Sequence, residues 1–501
     1  MYVSERIFER ILLIIGWCVA TLGSSAGLAQ QVTDAAARAA PPGASAALAQ
    51  QATDPGVRAA ATDGGPPVPL SGTSANEMGY FLDGAARFAT VEVVSGAMNT
   101  ALGTQGNGLG PRFNSNSCSS CHGQPYVGGS SPAANPLYTI YNAQGAANQM
   151  PWFEAPNGPV REARFVQSNG VTDGGVHNLF VITGRNDATS SCSITQPSFL
   201  PAGNPLTGQG GNRNVVFRIP TPILGAGLIE AINDSTILAN QAANASTKQR
   251  FGVGGHPNSV QGGTVNRSAN DGTITRFGWK AQNKSLLMFA GEAYNVEMGI
   301  SNQIFPQERE ETPTCQGSGN ATPNDTDNFP PPGAPVVTTT ILSDIEAFAD
   351  FMRLLGAPVP APANASTQRG SALFTSVGCA LCHTPSLPTA KAVASGSYQV
   401  PSVALSGQQA NLFSDLLVHH MGMGLADGIS QGAAGPDEFR TAPLWGVGQR
   451  VFFLHDGRTS NLVTAIQEHA SSGSEANQVV RAFQSLSASQ QQDLVNFLRS
   501  L

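Results

Sequence analysis

The sequence predicts a mainly α fold with extensive loops and some short β, divided into two domains, and three observations carry that prediction. One five-residue string of the form C-x-x-C-H occurs twice, far apart, as Cys118-Ser119-Ser120-Cys121-His122 and Cys379-Ala380-Leu381-Cys382-His383. Apolar residues recur at helical spacing on both sides of the second copy. Only 12% of residues are charged, whereas 56 are Gly and 34 are Pro, a balance that implies long irregular connections over the helices. At 501 residues and 41% hydrophobic, the chain can bury two cores.

The first element is an export signal. Arg6 and Arg10 precede an apolar run from Ile11 to Ala20, and small residues follow up to Ala29-Gln30, so residues 1–29 read as a secretory signal cut after Ala29. That run is shorter than the roughly 20 residues a bilayer-spanning helix needs, and no later stretch is long enough. The expectation is a periplasmic or secreted protein with no stable membrane insertion, a retained anchor being the alternative. Residues 30–75 are rich in Ala, Gly, Pro and Gln, and residues 28–40 are nearly repeated at 48–60. Two copies are too few for a solenoid, and the segment reads as a disordered linker.

The N-terminal domain is then expected over 76–328 and the C-terminal domain over 336–501, with the border in the proline-rich stretch from Phe329 to Pro335. In the first domain Val215–Ile219 and His177–Ile182 read as strands, and a helix runs from Trp279 through Leu286, Leu287 and Phe289 to Ala293. In the second, Ser343 caps a helix whose apolar face is Ile345, Phe348, Phe351, Met352 and Leu355, ended by Gly356 and Pro358. Gln368 to Ser376 is a short helix leading into the second string, and a last helix starts near Ser487 with Leu494, Phe497, Leu498 and Leu501 on one face.

The net charge of −7, without any run of Lys and Arg, excludes nucleic acid as a partner. The cysteines point elsewhere. Four of the seven fall in the two C-x-x-C-H strings, the spacing of c-type haem attachment. Two thiols three positions apart reach the two vinyl groups of one porphyrin, and the adjacent imidazole lands under the iron. A zinc ribbon would need no histidine after each pair. Cys118, Cys121, His122, Cys379, Cys382 and His383 are therefore the expected haem-binding residues, His122 and His383 being metal ligands. A helix before the attachment site and one at the C-terminus is the cytochrome c arrangement, hence two cytochrome c-like haem domains. Cys18 belongs to the signal. Cys192 and Cys315 remain, and in an oxidising compartment a disulfide is the expectation, worth roughly 4 to 5 kcal/mol for so long a loop, with two unpaired buried thiols as the alternative.

Six histidines remain, and the second axial ligand decides whether a haem transfers electrons or binds an oxidant. Leu462, Ile466 and His469 fall on one helical face after a Thr/Ser cap, so His469 is directed into the core. Met421 and Met423 are rival sulfur ligands. His455 could bond a haem propionate, and His177 and His256 receive no role. A further cluster combines Phe277-Gly278-Trp279-Lys280 with Glu297-Met298-Gly299; a carboxyl in an apolar haem pocket can move a proton between peroxide oxygens when its pKa is raised. A carboxylate at a helix end is the plainer alternative.

With these strings in place, the chain resembles the di-haem oxidoreductase, putative peroxidase family, also called thiol oxidoreductase-like. The resemblance runs through Gly108 to Cys118, Thr183-Gly184-Arg185, Arg218 to Glu230, Phe277 to Lys280, Glu297 to Ile300, Gly378 to His383, Ser414 to Gly422, Arg440 to Trp445 and Leu454 to Arg458, and it covers roughly residues 78 to 501. More distantly the chain is similar to the bacterial di-haem cytochrome c peroxidases. In those enzymes the N-terminal haem is the peroxide site, a tryptophan lies between the haems and a glutamate sits on the distal side; the matching positions are His122, Trp279 and Glu297. The glutamine they carry before the glutamate is replaced by Leu287 or Met288. Their second-haem methionine follows a Phe-His-Asp-Gly-like string by fourteen residues, which here is His469. The resemblance thus implies a peroxidase-like oxidoreductase with two covalently bound c-type haems, a His383/His469 second haem, and an electron-donor protein such as a small cytochrome or copper protein. A calcium ion between the domains, as in related peroxidases, also belongs to it. A dedicated di-haem electron carrier is the alternative, and radical-mediated oxidation of a partner protein a third reading.

Overall fold

The computed structural model describes residues 52–58, 66–94, 105–110, 112–143, 149–168, 170–181, 199, 214–259, 274–306, 342–394 and 401–501. They belong to one compact unit, Ala52–Leu501. The expected export signal, the expected proline-rich border and Cys18, Cys192 and Cys315 lie outside the described residues.

The regular elements among the described residues are mainly helices, with short sheets of two or three strands. The helices are α1 (Ala75–Phe88), α2 (Cys118–Cys121), α3 (Leu137–Ala143), α4 (Ala226–Glu230), α5 (Asp234–Ala242), α6 (Ala245–Phe251), α7 (Leu286–Met298), α8 (Asp344–Leu354), α9 (Ala365–Ser376), α10 (Gly422–Leu425), α11 (Leu462–Glu468), α12 (Asn477–Gln484) and α13 (Ala488–Ser500). Capping boxes start the helices that build the core: Ser74 with Glu77, Ser343 with Glu346 and Ser487 with Gln490. Among the described residues no helix is long and apolar enough to cross a membrane.

Two helix crossings, alike in sequence and geometry, organise the core. In α1 a Cβ on Gly84 would fall 2.2 Å from the Ala347 carbonyl and 2.7 Å from the Phe351 Cβ of α8. In α9 a Cβ on Gly370 would fall 2.0 Å from the Asp493 carbonyl and 2.7 Å from the Phe497 Cβ of α13. Glycine is thus what lets each pair of backbones touch. Four residues after each glycine stands a phenylalanine, Phe88 and Phe374, one turn along the same face. The facing helices keep register as well: Phe348 and Met352 occupy in α8 the places that Leu494 and Leu498 occupy in α13. Burial of such a side chain, Phe351 being fully buried, contributes roughly 1.5 to 3 kcal/mol.

A border before 336 assigns helix α8 to the C-terminal domain, but α8 packs on α1 and α7, because its apolar face complements Gly84 and the aromatic rings of Phe81, Phe88 and Tyr294. The largest core also joins both halves, with Leu412, Leu416 and Leu417 in the same cluster as Ile229 and Ile232.

Other expectations shift locally. The helix predicted from Trp279 starts at Leu286, since Gly278 and Ala281 adopt left-handed conformations and Phe277 pairs with Asn283, closing a turn that Ser285 ends by capping α7. The strand expected over His177–Ile182 divides into pieces serving different sheets. Helix α11 is capped by Asn461 rather than by the Thr/Ser pair, because its carboxamide accepts from Thr464 N. Within the segment expected to be a disordered linker, residues 52–58 lie against α13. Asp54 pairs with Arg499 at 2.7 Å, Gln492 bonds Thr53, and Arg58 N donates to the Gly448 carbonyl.

A three-stranded sheet carries charged residues inward: β1 (Glu162–Phe165) lies between β2 (Val176–His177) and β3 (Val215–Arg218), and Glu162 stands directly across from Arg218.

Candidate functional site

Each C-x-x-C-H string closes a single helical turn. His122 N donates to Cys118 O at 3.0 Å and His383 N to Cys379 O at 2.9 Å, which puts both thiols of a string on one side with the imidazole just beyond. None of the four cysteines is paired in a disulfide. The two imidazoles are fixed in the same way: Nδ1 of His122 lies 3.0 Å from the Gly129 carbonyl, and Nδ1 of His383 lies 3.0 Å from the Phe413 carbonyl. A carbonyl can only accept, so Nδ1 carries the hydrogen and Nε2 is left with its lone pair, the tautomer a metal needs. Burial lowers the pKa of both rings, that of His383 to about 4, so both are neutral. Phe88 stands edge-on to His122 and Phe374 lies tilted beside His383, an equivalence set by the two helix crossings.

Each string opens on its own cavity. The first encloses about 1200 Å³ not filled by protein atoms, and the second about 1550 Å³, each in part open to solvent. Their walls differ. The second is mostly apolar, and His469 lines it together with His383. Nδ1 of His469 is tied to the Ala465 carbonyl at 2.7 Å, so this ring too presents a free Nε2. Met421 also lines the second cavity, whereas Met423 is 74% exposed. Two buried guanidiniums, Arg440 and Arg450, border the same cavity without a carboxylate partner among the described residues. Their hydrogen bonds go to backbone carbonyls, and Arg440 Nε has no partner among those residues at all. Burial draws the pKa of each down to about 10. Buried cations are normally paired, so the cavity is built to receive anionic groups such as the propionates of a porphyrin.

The first cavity has a polar wall. Asn114, Glu162, Arg164, Arg218, Glu292 and Glu297 line it together with Gln282. Glu297 arrives there because two glycines cross: Gly299, at φ +68°, ends α7 where a Cβ would meet Arg112 O at 2.5 Å and Gly110 Cα at 2.9 Å. That contact lets Asn114 N bond the Glu297 carbonyl at 2.7 Å, tying α7 to the segment just before Cys118. Asn114 Nδ2 donates to Glu297 Oε2 at 2.6 Å. Desolvation, and then the neighbouring Glu162, push the Glu297 carboxyl up to about 8, so it is protonated at neutral pH.

Trp279 borders both cavities; its indole N–H donates to Ile219 O at 2.8 Å. His455 stands beside it at 6.4 Å and stacks on Phe439 at 4.3 Å, inside the second cavity's wall. His177 and His256 bond Asp173 and Glu438 away from the strings. His419 is held between Asp415 Oδ2 and Glu475 Oε2 at 3.0 and 2.7 Å, and although burial opposes it, the adjoining Cys382 and Asp415 raise its pKa well above the usual value. With Nδ1 and Nε2 each engaged by a carboxylate, the ring presents no free lone pair to an iron. An oxygen nest that could serve a calcium ion, formed by the Asp427 carboxylate and the Gly435 and Glu438 carbonyls, already holds the Lys280 ammonium at 3.2, 2.8 and 2.8 Å.

Sequence reasoning missed Glu162 and Arg164, whose strand carries no motif, gave Arg218 no role although it opens one of the family strings, and missed Gln282, whose Oε1 is buried without a hydrogen-bond partner among the described residues. The residues present fit two haems: two thiols, a neutral imidazole with a free Nε2 and a cavity at each string.

A family match agrees. The family model described as di-haem oxidoreductase, putative peroxidase, matches residues 210–501. Among solved structures, a MauG-like protein associated with microbial copper homeostasis is 14% identical, over 54% of this chain and 89% of that one, with a TM-score of 0.26. The diheme peroxidase BthA from Burkholderia thailandensis E264 is 15% identical, over 56% and 86%, with a TM-score of 0.27. Hydrazine synthase of Kuenenia stuttgartiensis is 16% identical, over 62% and 100%, with a TM-score of 0.26. No curated protein matches the sequence.

Proposed function

The chain belongs to the di-haem oxidoreductase, putative peroxidase family, and from that premise we propose an exported di-haem c-type cytochrome that acts as a peroxidase, with two cytochrome c-like units of unequal task. Cys118 and Cys121 would hold the first haem covalently with His122 as axial ligand; Cys379 and Cys382 would hold the second, with His383 and His469. A bound haem supplies iron that can accept an oxidant or pass single electrons, according to its free coordination sites.

One observation carries the division of labour. The second cavity is lined by two neutral histidines whose Nδ1 atoms are each tied to a carbonyl, whereas the first is lined by one such histidine and a protonated carboxyl, Glu297. The second is suited to electron transfer and the first to chemistry. Glu297 holds its proton at neutral pH and aims its carboxyl by the bond from Asn114, so it can hand that proton to the departing oxygen of a peroxide and take one back. Trp279, shared by both walls, is the residue through which the two centres communicate. Arg440 and Arg450 neutralise the propionates of the second haem. The electron donor is a small cytochrome or copper protein, met in the periplasm or outside the cell, and a calcium ion between the domains binds elsewhere than the nest Lys280 fills.

The test is Glu297→Gln in haem-loaded protein. Peroxide turnover is expected to fall by about 10²-fold or more, the usual worth of a positioned acid, with haem content unchanged. Full turnover would remove Glu297 from the reaction. Two low-spin haems in every redox state would instead favour an electron carrier.

A further inference from the structure

The first cavity contains a second acid that no motif announces. Glu162, on β1, and Glu297, near the end of α7, come from segments far apart in sequence, yet both line this cavity, and their carboxyl groups lie near enough to share a hydrogen bond. The remaining contacts assign the parts. Leu179 N donates to Asn114 Oδ1 at 2.7 Å, so the carboxamide must turn its N–H to Glu297, where it donates at 2.6 Å. Arg164, two residues along β1 and therefore on the same face as Glu162, donates from Nε to Glu162 Oε1 at 2.6 Å. Arg218 stands across the sheet from Glu162, its own charge engaged by Asp427 at 2.7 Å. Glu292, the other acid of α7 facing the cavity, is occupied by Asn283. Two carboxyl groups in contact can form a hydrogen bond when one proton lies between them, and the cations stand on the side of Glu162.

We infer that Glu162 and Glu297 share a single proton, with Glu162 as the anionic positioning residue that keeps the proton on Glu297 and points it into the cavity. The inference rests on the reading of Glu297 as the acid of the proposed peroxidase. When Glu297 gives its proton to a peroxide oxygen, the O–H bond of the carboxyl breaks and one forms on the departing oxygen. Two carboxylates are then left in contact. Their repulsion draws one proton back from water, so the acid is restored after each turnover.

The test is infrared spectroscopy of the haem-loaded resting protein through a pH titration, which reads the acid directly and needs no turnover. A protonated carboxyl band is expected at neutral pH, absent from Glu297→Gln, that titrates near 8. In Glu162→Gln its midpoint should fall by about one pH unit or more, a tenfold change in acid dissociation, with haem absorption unchanged. If that variant fails to load haem, Arg164→Gln serves instead: removal of the cation should let a second protonated carboxyl appear above the ordinary carboxylate range. Absence of the neutral-pH band, or a midpoint unmoved in Glu162→Gln, or no second carboxyl in Arg164→Gln when that variant serves, overturns the pair. The two readings separate cleanly. A shifted midpoint with full turnover in Glu297→Gln keeps the pair and removes the peroxidase role; lost turnover with an unshifted midpoint does the reverse.

Discussion

Asp427 joins the walls of the two halves, and Asp427→Asn is the substitution whose cost can be worked most directly. Its carboxylate is buried between two buried cations: Oδ2 takes Arg218 at 2.7 Å and Oδ1 takes Lys280 at 3.2 Å. Asparagine keeps the shape and removes the charge. Both cations then lose their counter-ion in a region where even the native Lys280, with Asp427 beside it, is drawn by burial from 10.5 to about 8. That residual shift shows how poorly the site solvates a lone cation, and breaking a buried pair by removing one partner costs about 3 to 5 kcal/mol. The expected result is a loss of about 3 to 5 kcal/mol at pH 7, read as a fall in the urea midpoint of haem-loaded protein with an unchanged slope. The sign of the pH dependence follows from linkage. The folded pKa of Lys280 lies below its unfolded value, so the unfolded chain binds more protons between the two and stability rises with pH across that window. In the variant the window opens below 8, because Lys280 has lost its attracting charge. The variant should therefore gain more than the wild type from pH 7 to 9, narrowing the deficit by about 1 kcal/mol. A variant within about 1 kcal/mol of wild type at both pH values would refute the reasoning.

The other expectations concern the haem sites and the crossing that sets the first of them. His469→Ala should turn the second haem high-spin by electron paramagnetic resonance, while Met421→Leu leaves it low-spin; the reverse pattern would assign the ligand to Met421. Arg450→Leu removes a buried cation from the second cavity, which eases the charge of the oxidised haem, so a redox titration should give a lower reduction potential at that centre, and an unchanged one would detach Arg450 from the propionates. Gly299→Ala forces a Cβ to 2.5 Å from Arg112 O at a left-handed position, and should cost about 2 kcal/mol or more and disturb the first haem's spectrum. Gly252→Ala, at a similar φ with open space around it, should cost only about 1 to 2 kcal/mol and leave the spectrum alone.

The parts legible in the sequence are those whose cause is local. The attachment strings, the serine caps of α8 and α13 and the apolar stripes behind them depend on neighbours within one or two turns, and they lie where the spacing puts them. His469 was legible for the same reason: its helical face follows from Leu462 and Ile466, seven and three positions earlier. The start of α7 was misjudged by seven residues because positive φ angles at Gly278 and Ala281 end the helix without altering the residue pattern.

What the sequence determined by itself is the chemistry available at each string: thiols and an imidazole in covalent order, because a single helical turn suffices to align them. Only the tertiary structure decided which charged residues set the two sites apart. Glu162, Arg164 and Arg218 reach the first cavity from two strands, Glu297 from a helix brought close by Gly110 and Gly299, and Arg440 and Arg450 reach the second as cations whose anions the described residues do not supply. Electrostatic pairing acts through space over a few ångströms, and residues that share it can stand anywhere in the chain; the same holds for α8, which joined the first core because Gly84 left room for its backbone.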